Sequence, residues 1–139
     1  MKHFIIQEFV PPEIYSQWND KSLWFLDPVM LQLADFMREF FGKPMTVNNW
    51  DSKGTFTLRG FRPPDTLVGG KLSQHKFGRA FDSNINDMTP RDMYNAIIAN
   101  EKAFIKAGLT TLEHIDSTPT WVHCDVRCTG LDHILIVVP

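Results

Sequence analysis

The sequence predicts a single α+β domain in which an antiparallel sheet is flanked by helices. Three observations lead there. A length of 139 residues suits one ordinary domain and is too short for two. Two long stretches carry apolar residues at helical spacing between capping signals, which predicts helices. Several runs of three to eight residues, bounded by glycine, proline or asparagine, predict short strands, and most of them fall in the second half of the chain.

Each element can be justified in order. Residues Trp18 to Phe41 repeat apolar side chains at helical spacing, with Leu31, Leu33, Ala34, Met37, Phe40 and Phe41 forming the clearest apolar face. Asp27-Pro28 supplies a cap and a first helical residue, and Gly42-Lys43-Pro44 ends the segment. Met45-Thr46-Val47 reads as a short strand, and Thr55 to Leu58 as another after the polar Asn48 to Asp51. Gly60 to Gly70 holds two prolines and two further glycines, which predicts a long irregular connection that shapes a site rather than a core. After a turn at Gly78, Arg79 to Ile85 reads as a strand carrying Ala80 and Asp82. Thr89-Pro90 caps a helix running through Met93, Ala96, Ile97, Ile98 and Phe104 to Gly108. Thr110 to Ile115 reads as a strand, and Trp121 to Val126 with His133 to Val138 as the last two strands of the antiparallel sheet. No internal repeat, low-complexity segment or linker interrupts the chain.

Hydrophobic residues make up 43% and charged residues 22%, an ordinary balance for a folded protein. No apolar run approaches the roughly 20 residues that cross a bilayer. The start, Met1 to Gln7, lacks the hydrophobic segment of a secretion signal, so the expectation is synthesis in the cytoplasm, with release by lysis or assembly into a virion as the route outward. A formal net charge of -2 argues against general polyanion binding, and Lys71, Lys76 and Arg79 read as a solvated face rather than a nucleic-acid patch. Cys124 and Cys128 have no second pair with which to form a four-thiolate site, and free thiols are expected.

His75, Asp82 and His123 together offer two nitrogens and one oxygen, the mixed set that suits one zinc ion with a position left for water. Spacing alone leaves the alternative open, because isolated histidines and aspartates more often serve as hydrogen-bonded or surface residues. The neighbouring residues add to it: Ser73, His75, Gly78, Ala80 and Asp82 in one run, Trp121, His123 and Asp125 in a second, and Gly60-Phe61-Arg62-Pro63 upstream. In this order, over Val47 to Val126, they resemble the M15 family of zinc D-Ala-D-Ala carboxypeptidases and related cell-wall peptidases, whose fold is shared by the hedgehog signalling domain. The resemblance implies that fold, Zn²⁺ on His75, Asp82 and His123, and hydrolysis of amide bonds in peptidoglycan stem or cross-link peptides.

The resemblance also implies that Arg62 holds substrate near the metal, which its guanidinium fork suits. Gln74 and Trp121 are further candidates for substrate contact, Ser73 for supporting the ligand loop, and Asp125 for orienting His123 from the same strand face. The general base is the gap. Many family members carry an acid three residues before the last histidine ligand, and here that residue is Thr120. Glu113 and Asp116 are the nearest upstream carboxylates and therefore the candidates, with His114 a weaker one. A zinc-stabilised domain without activity, serving in a cell wall or virion, is the competing expectation.

Overall fold

The computed structural model describes residues 1–139. Four α-helices, α1 (Pro12–Trp18), α2 (Pro28–Phe41), α3 (Pro90–Ala99) and α4 (Glu101–Lys106), accompany five strands, β1 (Met45–Thr46), β2 (Ala80–Ile85), β3 (Thr111–Glu113), β4 (Val122–Asp125) and β5 (Leu135–Val137). The strands form one sheet in the order β1-β2-β4-β3-β5. No helix is long and apolar enough to cross a membrane.

The α+β class holds, with one change to the sheet. β1, β2, β4 and β3 pair antiparallel, whereas β5 runs parallel to β3, with Thr111 opposite Leu135. The last two strands are not neighbours, because β3 lies between them and the chain returns past it after β4. The sheet is therefore mixed.

Helix α2 forms where its caps direct. Asp27 accepts a hydrogen bond from the Val29 amide at 2.9 Å, Pro28 opens the helix, and Gly42 closes it in the left-handed conformation. Met30, Leu33, Ala34 and Met37 are fully buried, but Phe40 is on the rim and exposed. The segment before α2 is α1 followed by a 3-10 turn at Asn19–Phe25 rather than one continuous helix from Trp18. The expected helix after Thr89 is likewise divided. Asn100 bonds the Ala96 carbonyl through its side chain at 2.8 Å, ends α3, and begins α4.

Thr55 to Leu58 is not a strand, and the reason is local. Asn49 takes the Phe56 amide on its side-chain oxygen at 2.9 Å, while its own amide bonds the Phe56 carbonyl at 3.0 Å. Asn48 takes the Arg59 amide in the same way at 2.9 Å. These two asparagines satisfy backbone groups that a sheet ladder would otherwise use.

Register divides the sheet by face. Phe81 pairs with Cys124, and Cys124 with Leu112, and all three are completely buried beneath the helices. Met37 of α2 reaches the Cys124 sulfur, and Phe9 packs edge-on to Phe81 at 6.4 Å. Because side chains alternate along a strand, the residues on either side of this row point to the opposite face. They are Ala80 and Asp82, His123 and Asp125, and Thr111 and Glu113.

Candidate metal centre

Three adjacent strands place the centre of the site in one row. Asp82 on β2 is the direct partner of His123 on β4. Glu113 on β3 lies one step past the Leu112–Cys124 pair and brings its Oε1 to 3.9 Å from His123 Nδ1. His75 arrives from outside the sheet, on a 3-10 turn at Gln74–Phe77. That turn is closed by Gly78 at φ +67°, where an added Cβ would lie 1.8 Å from the Phe25 carbonyl oxygen. Only glycine tolerates both the conformation and the close approach.

The donor atoms converge. His75 Nε2 lies 3.1 Å from His123 Nδ1 and 3.2 Å from Asp82 Oδ1, and His123 Nδ1 lies 2.8 Å from Asp82 Oδ1. Bonds of about 2.0 Å to a tetrahedral ion place neighbouring donors roughly 3.3 Å apart, so this triangle is close to the size that zinc requires. All three residues are buried, at 2%, 4% and 3% exposure for His75, Asp82 and His123. The group can hold a metal ion.

The outer atoms of each donor are also engaged. His75 donates from Nδ1 to the Gly60 carbonyl at 2.7 Å, which leaves its Nε2 lone pair facing inward. His123 turns Nε2 toward Asp125 Oδ2 at 3.3 Å, which leaves Nδ1 facing inward. Asp82 accepts from Arg62 Nη2 on Oδ2 at 2.8 Å, leaving Oδ1 for the centre. Asp125 has no exposed surface and is held in turn by Arg127, which donates Nε and Nη2 to the carboxylate and its backbone amide to Oδ1 at 3.1 Å. Metal-binding histidines are commonly fixed by outer partners of this kind.

Burial and neighbouring charge act against one another on these groups. Burial pushes the Asp82 carboxyl upward, but His75 and His123 more than reverse this and hold it well below the usual range. Burial lowers the His75 pKa below its ordinary value. For His123 burial also acts downward, yet the hydrogen bonds to Asp125 and Asp82 outweigh it and raise the pKa to about 9. The hydrogen bonds to Asp125 and Asp82 thus favour the protonated form of His123.

The trio opens onto a cleft of about 510 Å³ that Arg62, Glu113, Trp121 and Arg127 also line. Arg62 does more structural work than the sequence implies. Besides holding Asp82, its Nε donates to the Leu58 carbonyl at 2.7 Å. Gln74 and Ser73 border the cleft too, but Gln74 Nε2 turns back to the Leu72 carbonyl, and Ser73 supports the loop through its backbone, accepting from Lys76 at 3.0 Å. Trp121 forms part of the wall, with the Arg59 guanidinium 5.9 Å from its ring and 3.5 Å from that of Phe56.

The two candidate bases separate. Glu113 is on the cleft wall, whereas Asp116 is exposed beyond the end of β3 and paired with Arg91 of α3. His114 points the same way, its Nδ1 accepting from the Asp116 amide at 3.3 Å. Arg127 is the site residue that the motif reading missed, although its place two residues after Asp125 on an extended segment was a usable signal. Cys124 and Cys128 are both free, and neither belongs to the donor group. Neither protein-family models, nor curated proteins, nor solved structures give a match to this chain.

Proposed function

We propose that the chain is a zinc-dependent metallopeptidase that hydrolyses amide bonds in peptidoglycan stem or cross-link peptides. The observation that carries this reading is the position of Glu113, a cleft carboxylate 3.9 Å from a ligand nitrogen of a three-donor centre. Three protein donors with one face toward a cleft is the arrangement of a catalytic rather than a structural zinc site. The peptidoglycan substrate rests on the motif resemblance of Ser73 to Asp82 and Trp121 to Asp125.

His75, Asp82 and His123 would hold the ion, and bound zinc would supply a lowered water pKa and a polarised carbonyl. Glu113 would take a proton from the nucleophilic water and return it to the leaving amine, work that Thr120 is chemically unable to do. On this reading the base comes from β3, the strand beside β4, and not from the segment leading into β4. Arg62 holds Asp82 in the orientation that presents Oδ1 inward. Asp125 fixes the His123 ring by accepting its outer proton, with Arg127 balancing the buried charge.

The test is digestion of purified peptidoglycan and defined stem peptides by zinc-loaded protein, with products identified by mass spectrometry. Chelated protein and the His123→Ala variant serve as controls. Release of peptide fragments that depends on zinc and is lost in the variant supports the reading. Intact substrate in the presence of folded, zinc-loaded protein rejects it in favour of a zinc-stabilised domain without activity.

A further inference from the structure

We propose that Arg127 is a specificity residue that docks a free carboxylate of the substrate beside the metal centre, an inference that rests on the peptidase reading. A guanidinium has two edges able to grip a carboxylate in bidentate fashion, one formed by Nε and Nη2 and the other by Nη1 and Nη2. In Arg127 the first edge is spent on Asp125, with Nε donating to both carboxylate oxygens at 2.9 Å and Nη2 donating to Oδ2. Nη1 has no hydrogen-bond partner within the chain. The side chain is 33% exposed and lines the metal cleft, so the second edge is what Arg127 offers to a ligand.

Arg62 is less able to do this. Its Nε and Nη2 are committed to two different partners, Leu58 and Asp82, and its side chain is only 14% exposed. The remaining nitrogen lies beside Gly69, where an added Cβ would come to 3.1 Å from Arg62 Nη1. The resemblance implies that Arg62 holds substrate near the metal, and Arg127, on the same cleft and more exposed, adds a second guanidinium to it. Asp125 holds the anchor rigid, so a docked carboxylate meets a preset fork rather than a flexible chain.

The carboxylate has two sources in a stem peptide, the chain terminus or an acidic residue within it, and amidating each in turn separates them. The experiment measures kcat/KM of the zinc-loaded full chain on one stem peptide with both carboxylates free, on its C-terminal amide, and on the form amidated at the internal acid. The proteins compared are wild type, Arg127→Met and Arg127→Lys, the last keeping a positive charge beside buried Asp125. Wild type should favour the free acid over one of the amides by about tenfold or more, the scale of a charged hydrogen bond. Both variants should reduce that preference to within about threefold, and the amide that suffers identifies the carboxylate. A role confined to supporting Asp125 lowers all three substrates together and leaves the preference intact, which overturns the inference while the peptidase reading stands. Equal rates on all three peptides in wild type overturn it equally. Cleavage of none of them by zinc-loaded wild type removes the peptidase reading and this inference with it.

Discussion

His123 is tied on both sides of its ring, to Asp82 and His75 at Nδ1 and to Asp125 at Nε2. Removing a donor should therefore differ from removing a support. His123→Ala and Asp82→Ala should each abolish stoichiometric zinc binding in a competitive chelator titration. Asp125→Asn should bind zinc about 10 to 100 times more weakly, as loss of an outer partner usually does. Glu113→Gln should keep full zinc affinity yet lose about 10²- to 10⁴-fold in kcat. Asp116→Asn, at an exposed residue outside the cleft lining, should retain kcat within about twofold. Equal losses in the Glu113 and Asp116 variants would remove Glu113 as the base.

At the scale of elements, the turn that carries His75 depends on Gly78. Gly78→Ala places a methyl group against the Phe25 carbonyl in a left-handed conformation. It should lower stability by about 2 kcal/mol or more and weaken zinc binding as well, measured by thermal denaturation with and without the metal. An unchanged melting temperature would contradict the turn geometry. The helix α2, the strand β2 and the glycine turn were legible from the sequence because capping residues and alternation are local signals. So was the convergence of His75, Asp82 and His123, the last two on the strands expected of them. Thr55 to Leu58 misled because side chains of Asn48 and Asn49 captured its backbone, a competition invisible to periodicity. The β3–β5 pairing was hidden for a different reason, since strand order depends on contacts distant in sequence. The pairing of β3 with β4 likewise brings Glu113 beside His123, while Asp116 lies beyond the end of β3.

For the whole molecule, a metal held by the three donors would compete with a proton for one centre. In the metal-free protein His123 has its pKa raised to about 9 from an ordinary 6.5, so its protonated form adds stability that is fully present below about pH 6.5 and lost as pH rises through about 9. Asp82 is shifted the other way, so its contribution is present above its ordinary 3.8 and lost as pH falls toward its depressed value. Zinc needs the neutral His123 ring and must expel that proton. At fixed free zinc, affinity should then rise about tenfold per pH unit between roughly pH 6.5 and 8.5. The stabilisation that zinc confers should grow by about 1.4 kcal/mol per unit, read from melting curves across that range. A zinc effect independent of pH would show that His123 carries no proton to displace.

The claim on which the rest depends is that this chain holds one zinc ion through three protein donors and leaves a position toward the cleft. Zinc K-edge X-ray absorption on protein loaded at one equivalent tests it directly. The expected spectrum fits two imidazole nitrogens and two oxygens at about 2.0 Å, one of the oxygens from Asp82 and the other from water exchangeable for a small anion, with no sulfur. A sulfur shell near 2.3 Å, which would bring in Cys124 or Cys128, would contradict it, as would four protein donors with no exchangeable position.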